Sequence, residues 1–152
     1  MSHLVLVGLL TAAVLPYVIG LGDSTIWDAN EAFYAETPRE MIESGDYINP
    51  SFNYYPRFNK PVLSYWAVAA SYHMFGVSEL SERLPIAFSA IVLIATAFGL
   101  GRAVGTYESA LLAGIILATA PRFLMFSRRI IIDMWITMFM ALTLLFFVLA
   151  EI

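Results

Sequence analysis

The sequence predicts an all-α integral membrane protein with about four transmembrane helices and one long polar loop between the first two. Sixty per cent of its residues are apolar and only 13% are charged, whereas soluble domains average about 25% charged residues. The mean hydropathy is +0.76, and apolar blocks of about bilayer length recur along the chain. Half of the acidic residues lie within residues 27–66, so the polar part is one insert.

Composition also excludes some functions. The net charge of -4 supplies no basic face for nucleic acid. The chain has no cysteine, so it forms no disulfide framework, no thiolate nucleophile and no Cys-ligated zinc site.

The first predicted span is Leu4–Gly22, which carries no charge and contains Pro16 as a kink. A cleaved signal peptide is the alternative. Residues 1–3 lack Lys and Arg, and no A-x-A cleavage site follows, so an uncleaved span is favoured.

Three further apolar segments are predicted to cross the membrane. They are Pro85–Val104, with a proline at a helix-start position, Ser109–Met125, with Pro121 near its end, and Met134–Ala150. The last block is still apolar when it reaches Glu151, so we expect the chain to be a fragment of something larger, with 23–83 as its first external loop.

The segment Pro61–Gly76 is short for a span and carries Tyr65, Trp66, Tyr72 and His73, residue types that favour the membrane interface. We interpret it as a helix lying along the membrane surface. That topology places residues 23–83 and the Ser127–Asp133 loop on the same side.

Orientation is ambiguous from charge alone. On this topology one side carries nearly all the basic residues: Arg39, Arg57, Lys60, Arg83, Arg122, Arg128 and Arg129. The positive-inside rule would make that side cytoplasmic, although the rule weakens for long loops and for cations that bind an anion.

Two helix starts are predicted in the insert. Asp28 and Glu31 have capping-box spacing, and Thr37 and Glu40 form a second box with Pro38 at N1, before a helix that ends at Gly45. The alternative for Asp28 and Glu31 is functional, because interfacial carboxylates can act as a general base or bind a divalent cation.

Two cations and one acid stand out beside these carboxylates. Arg57 and Lys60 lie among aromatic residues just before the surface helix; they would pair with a phosphate or snorkel to lipid headgroups. Asp133 opens the last span. It is either a functional acid or the partner of Arg129 at i, i+4.

A series of motifs in the insert carries a family resemblance. They are Asn30-Glu31-Ala32-Phe33-Tyr34-Ala35-Glu36, Arg39-Glu40-Met41, Ser44-Gly45-Asp46, Phe58-Asn59-Lys60-Pro61, Ser64-Tyr65-Trp66, Phe75-Gly76 and Arg83-Leu84-Pro85. In this order they resemble the first external loop of GT-C glycosyltransferases, in the branch of lipid A aminoarabinose transferases and protein O-mannosyltransferases. The run from Ser127 to Met134 resembles that family's next external loop.

The resemblance implies an enzyme of the bacterial inner membrane that transfers a sugar from a polyprenyl-phosphate donor to a lipid or protein acceptor at the outer face. It places Glu31 at the acid of an Asp-Glu pair, Lys60 at the lysine of the carrier phosphate and Asp133 at the acid of the second loop. Glu31 or Asp28 then becomes the candidate base, with Asp133 as a third catalytic candidate. Phosphate-binding candidates are Lys60, Arg57 and Arg128, joined by Asn30 and Tyr34 of the first motif.

Three positions depart from the family pattern. Asn30 replaces an acid, Asn59 stands where an acid often precedes the lysine, and Val62 replaces a second proline. An amide oxygen can coordinate an ion but cannot act as a base. We expect that a divalent metal, if the protein uses one, is held by Glu31 and the amide oxygen of Asn59. This expectation does not depend on the predicted phosphate-binding residues.

Two other functions fit the residues. One is a non-catalytic subunit, or truncated remnant, that binds the lipid carrier without turnover. The other is a transporter fragment with Asp28, Glu31 and Asp133 on an ion path; it ranks lower because these acids lie at the predicted interface rather than at bilayer depth.

Overall fold

The computed structural model describes residues 3–26 and 29–152. In chain order their elements are α1 (His3–Val14), a short 3-10 helix (Leu15–Tyr17), α2 (Ala29–Ser44), β1 (Ser51–Phe52), β2 (Tyr55–Pro56), α3 (Leu63–Phe75), α4 (Glu79–Val104), α5 (Tyr107–Thr119), α6 (Pro121–Ser127) and α7 (Asp133–Glu151). The predicted all-α membrane class is confirmed, with one small antiparallel hairpin added.

Helix α4 is the central element, because α3, α5, α6 and α7 all pack against it. Helices α4 and α7 are each long and apolar enough to cross a membrane. Buried side chains of α4 such as Ile86, Ala90 and Leu93 join one core with Tyr65 of α3 and Met138 of α7. The core therefore connects the apolar helices to the elements of the insert.

Prolines set helix bounds that differ from the predicted ones. The α-helix of the first span ends at Val14, because Pro16 lies in the 3-10 turn and has no N–H to continue the ladder. Pro121 begins a separate helix: Ala120 before it is extended, as a residue preceding proline prefers to be, and α5 and α6 meet at 66°. The third predicted span is thus bent.

Pro85 does not begin its helix, and that prediction is wrong. Helix α4 starts at Glu79, where Ser78 and Ser81 form a capping box. Pro85 lies inside α4, where its ring removes one ladder hydrogen bond close to the start. The cap therefore takes precedence over the proline.

The second predicted helix start, at Thr37, is also wrong. Helix α2 runs unbroken from Ala29 to Ser44 with Pro38 inside it, and Thr37 is fully buried. The predicted end at Gly45 is confirmed, since this glycine has a φ of +71° and its N–H donates to the Met41 carbonyl. Glu40 consequently lies in mid-helix and caps nothing.

Helix α3 confirms a helical segment within Pro61–Gly76. It ends at Gly76, which has a φ of +78°. Tyr65, Val68 and Tyr72 of its inner face are buried, and the helix packs on α2 and α4. Its predicted position along the membrane surface stays a prediction.

Candidate functional site

A cavity of about 690 Å³ lies where the start of α2, the segment after the hairpin and the loop between α6 and α7 meet. Its polar wall consists of Asn30, Glu31, Tyr34, Arg57, Asn59, Lys60, Arg129 and Asp133. Its apolar wall consists of Phe123, Met125, Phe126, Ile130, Ile131, Ile132 and Met134, with Thr137 beside them. We call this space the main cavity.

The main cavity brings together most of the residues that the sequence singled out. Glu31, Lys60 and Asp133 are far apart in the chain, yet all three line it. Asp28, the other candidate base, lies outside the described residues. Arg128 has a different environment, while its neighbour Arg129 lines the cavity.

Glu31 is held in place by a buried ion pair with Arg83. The Nε of Arg83 lies 3.1 Å from Oε1 of Glu31, and the two side chains are 1% and 4% exposed. The same carboxylate oxygen accepts from the backbone N–H of Ile130 at 3.4 Å. Glu31 thus joins α2 to α4 and to the loop before α7.

Arg83 organises a second segment with its remaining N–H groups. Its Nη1 donates to the carbonyls of Leu21 at 3.1 Å and Ser24 at 2.6 Å, and its Nη2 donates to the carbonyl of Thr25 at 3.1 Å. The sequence shows Arg83 only as one member of a motif. Its burial is visible only when its partners, about sixty residues earlier in the chain, are in place.

Arg57 directly follows the β1–β2 hairpin and lines the main cavity. Its guanidinium lies 3.7 Å from the ring centroid of Phe33, a cation–π distance, and its backbone N–H donates to the Pro50 carbonyl at 2.8 Å. The hairpin turns at Asn53 and Tyr54, whose φ values of +52° and +62° match the type I′ pattern. The turn thereby fixes where the chain enters the cavity.

Glu40 supports that turn from beneath. Its carboxylate, in a side chain that is 1% exposed, accepts from the Tyr54 backbone N–H at 3.2 Å and from the Ser51 hydroxyl. A left-handed tyrosine is unfavourable by about 1–2 kcal/mol, so charge-assisted bonds to this turn help to hold it. The sequence indicated neither the hairpin nor this role.

Tyr34 lies within the fields of an acid and a cation. Burial raises the pKa of its phenol, the negative charge of Asp133 raises this pKa further, and the positive charge of Arg57 lowers it. Within the described residues, the ion pairs do not include the predicted one between Asp133 and Arg129. Asp133 begins α7, where the helix dipole favours a negative charge.

Arg128 closes the turn after α1. Its guanidinium donates to the carbonyls of Ile19 at 2.9 Å and Gly20 at 2.7 Å, and also to that of Pro16. The Gly20 carbonyl also accepts the Asp23 N–H at 3.3 Å, so the arginine reinforces a backbone turn. Arg129 rather than Arg128 lines the main cavity, and the predicted role of Arg128 in phosphate binding stays a prediction.

The described part of the chain does not supply a recognisable metal centre. No group of three or more His, Asp or Glu side chains there is arranged to hold an ion. Of the two expected ligands, Glu31 is committed to Arg83 and the Ile130 amide, and Asn59 supplies only an amide oxygen. The described residues therefore form no complete divalent-metal site by themselves, and the expected metal at Glu31 and Asn59 stays a prediction.

Comparison with known proteins identifies related chains. The family model described as dolichyl-phosphate-mannose-protein mannosyltransferase matches residues 5–152. An uncharacterised protein of Aquifex aeolicus is 32% identical over 136 residues, which cover 89% of this chain and 27% of that protein. The undecaprenyl phosphate-alpha-4-amino-4-deoxy-L-arabinose arabinosyl transferase of Shewanella sediminis is 40% identical over 78 residues, covering 51% of this chain and 14% of the relative.

A solved structure gives the same fold. The crystal structure of ArnT from Cupriavidus metallidurans bound to undecaprenyl phosphate is 26% identical, with a TM-score of 0.89 over 97% of this chain and 27% of that one. The chain thus spans 27% or less of the length of these relatives. The match to the family model over nearly the whole chain confirms the resemblance seen in the loop motifs: the chain belongs to the dolichyl-phosphate-mannose-protein mannosyltransferase family.

Proposed function

We propose that this chain belongs to a membrane glycosyltransferase that moves a sugar from a polyprenyl-phosphate carrier to a lipid or protein acceptor. One observation carries the proposal: the main cavity sets Arg57, Lys60 and Arg129 beside an apolar wall. Cations suit the phosphate of such a carrier, and the apolar wall suits its isoprenoid chain. The similarity to ArnT bound to undecaprenyl phosphate supports this assignment.

Lys60 and Arg57 would stabilise the departing phosphate. Breaking the bond between sugar and phosphate leaves negative charge on the phosphate oxygens. Fixed cations in a partly enclosed site stabilise that charge more than water does. Lys60 acts as a compact point charge, and the planar guanidinium of Arg57 can contact two oxygens.

Asp133 is our first candidate for the base that takes the proton of the acceptor. Glu31 already shares its Oε1 between Arg83 and the Ile130 amide, which makes it a better organiser than proton acceptor. Asp133 lines the same cavity as Glu31. Asn30 cannot take this part, because an amide does not accept the proton.

We further propose that the cavity faces the outer side of a bacterial inner membrane. The gathering of cations there runs against the positive-inside rule, and binding of a phosphate explains it.

Lys60 provides the test of the proposal. Because this chain spans 27% or less of its relatives, the test uses the complete protein that contains it. The wild type and its Lys60→Ala and Lys60→Arg variants are reconstituted with undecaprenyl phosphate-linked 4-amino-4-deoxy-L-arabinose and bacterial membrane lipids. We expect transfer by the wild type, a loss of about 100-fold or more in Lys60→Ala and partial retention in Lys60→Arg. Arg102→Ala, at the far end of α4, is the matched control and retains activity.

Other outcomes separate the alternatives. Binding of undecaprenyl phosphate by the wild type without transfer to any lipid or protein acceptor supports the carrier-binding subunit instead. Full activity in Lys60→Ala would remove Lys60 from the phosphate site.

A further inference from the structure

Two buried polar atoms beside the main cavity have no hydrogen-bond partner among the described residues: the Nε of Arg57 and the hydroxyl of Tyr65. Tyr65 is fully buried. Burying a polar group without a hydrogen-bond partner costs free energy, so an unpartnered buried atom in a native structure often has a functional role. The function proposed above uses the guanidinium of Arg57 but gives the Tyr65 hydroxyl no role.

The two groups lie close to each other. Burial raises the pKa of the Tyr65 phenol, whereas the nearby guanidinium of Arg57 and the charge of Lys60 lower this pKa. No hydrogen bond joins the Nε of Arg57 to the Tyr65 hydroxyl, and the guanidinium lies against the Phe33 ring.

Tyr65 adjoins the cavity wall. It shares a narrow gap with Tyr34, Ile130 and Ile132, and these three also line the main cavity. Arg57 lines the cavity itself. Tyr65 therefore lies behind the wall that Tyr34, Ile130 and Ile132 form.

We propose that Tyr65 is a positioning residue for the carrier phosphate: its hydroxyl oxygen accepts the Nε–H of Arg57 and so turns the two terminal amino groups toward the phosphate. The inference rests on the proposed function. With Nε anchored, both amino groups of the fork are available for a bidentate contact with phosphate oxygens. The negative charge of the phosphate favours this arrangement over the ring-stacked one, because anchoring Nε presents both terminal amino groups to the anion.

An unpartnered hydroxyl has a distinctive mutational signature. Replacing Tyr65 by Phe removes a group that is unsatisfied without ligand, so stability is retained or increased while phosphate binding falls. Tyr72 is the matched control: it is another buried tyrosine of α3, but its hydroxyl donates to the Ala35 carbonyl at 3.2 Å. Tyr72→Phe should lower stability and leave binding unchanged.

The experiment measures affinity for undecaprenyl phosphate and the thermal midpoint of the detergent-solubilised protein. We expect Tyr65→Phe to weaken binding about tenfold with no fall in the midpoint. Arg57→Lys, which keeps the charge but has no Nε, should weaken binding to a similar extent. The double variant should be no weaker than Arg57→Lys alone, because both changes break one arrangement.

Several results would overturn the inference. Unchanged affinity in Tyr65→Phe, a fall in its midpoint like that of Tyr72→Phe, or additive losses in the double variant would each do so. A wild type that binds no undecaprenyl phosphate would overturn the proposed function as well, which separates the two failures. Equal competition by inorganic phosphate or by phosphatidylglycerol vesicles would overturn the carrier as the source of the phosphate.

Discussion

The Nε of Arg83 lies 3.1 Å from Oε1 of Glu31, and this buried ion pair ties the first turn of α4 to the first turn of α2. The pair fixes one wall of the main cavity, because Glu31 lines the cavity and also accepts a hydrogen bond from the Ile130 amide. Arg83 in turn fixes the segment after α1 through its bonds to backbone carbonyls. One arginine therefore aligns three elements around the site.

Replacing Arg83 by Gln should be strongly destabilising. The change leaves the Glu31 carboxylate buried without its cation, which costs about 3–5 kcal/mol in comparable buried pairs. The free energy of unfolding, measured by denaturation in detergent micelles, reports the loss. Arg39→Gln is the matched control, because Arg39 pairs with Glu36 and Glu43 at a partly exposed site and should change stability by no more than about 1 kcal/mol. Equal effects of the two variants would contradict the structural role of Arg83.

Glu40 provides a second test of the scaffold, at the hairpin. Glu40→Gln retains the shape but replaces one acceptor oxygen by an amino group beneath the Ser51 hydroxyl and the Tyr54 N–H. We expect a loss of about 1–3 kcal/mol in stability and faster amide hydrogen exchange at residues 51–56. Glu43→Gln, which removes a longer surface contact to the Tyr54 hydroxyl, should leave that exchange nearly unchanged. Slow exchange in Glu40→Gln would show that the turn holds without the carboxylate.

The contact between α4 and α5 depends on Gly101. A Cβ at this position would lie 2.8 Å from the Cα of Ala110, so Gly101→Ala must push the two helices apart. Such overpacking costs about 1–3 kcal/mol. At Gly8 of α1 no described atom lies within 4 Å of an added Cβ, and Gly8→Ala should stabilise the helix by about 0.5–1 kcal/mol. Thermal midpoints that move in the same direction would contradict this packing.

Much of the site could be predicted from the sequence, because motif order places Glu31, Lys60 and Asp133 in a known arrangement. Those residues do meet at one cavity. What could not be predicted depends on contacts across the chain. The pairing of Arg83 with Glu31 joins residues 52 positions apart, and neither residue alone indicates the other.

The errors in the fold have local causes. Proline does not set the helix start at Thr37 or at Pro85, because a continuing helix or a Ser78 cap takes precedence. At Pro121 it does begin a new helix, so the third predicted span is bent. The hairpin is not predictable from the sequence, because Tyr54 has a positive φ, against the residue preferences from which turns are predicted.

The pKa of Tyr34 should report the charges around the cavity. Its folded-state pKa is raised, so the folded protein holds this proton more tightly, and the associated stability is present below about pH 10 and lost as pH rises above it. Asp133→Asn should lower the Tyr34 pKa, and Arg57→Gln should raise it. Carbon-13 NMR of labelled tyrosine follows the titration, with Asp46→Asn as a control on the remote turn before the hairpin. A Tyr34 pKa that is unaffected by Asp133→Asn would contradict their proximity.

Arg128 and Arg129 are neighbours in sequence with separate expected roles. Arg128 satisfies the carbonyls of Ile19 and Gly20, whereas Arg129 lines the main cavity. Arg128→Gln removes charge-assisted bonds and should lower the free energy of unfolding by about 1.5–3 kcal/mol, with little change in affinity for undecaprenyl phosphate. Arg129→Gln removes a cation from the phosphate side of the cavity and should weaken that affinity about tenfold. Titration of each variant with undecaprenyl phosphate, beside denaturation of the same preparations, decides the matter. If Arg128→Gln proved to be the variant that loses affinity, the phosphate would have to lie nearer the turn after α1 than the main cavity allows.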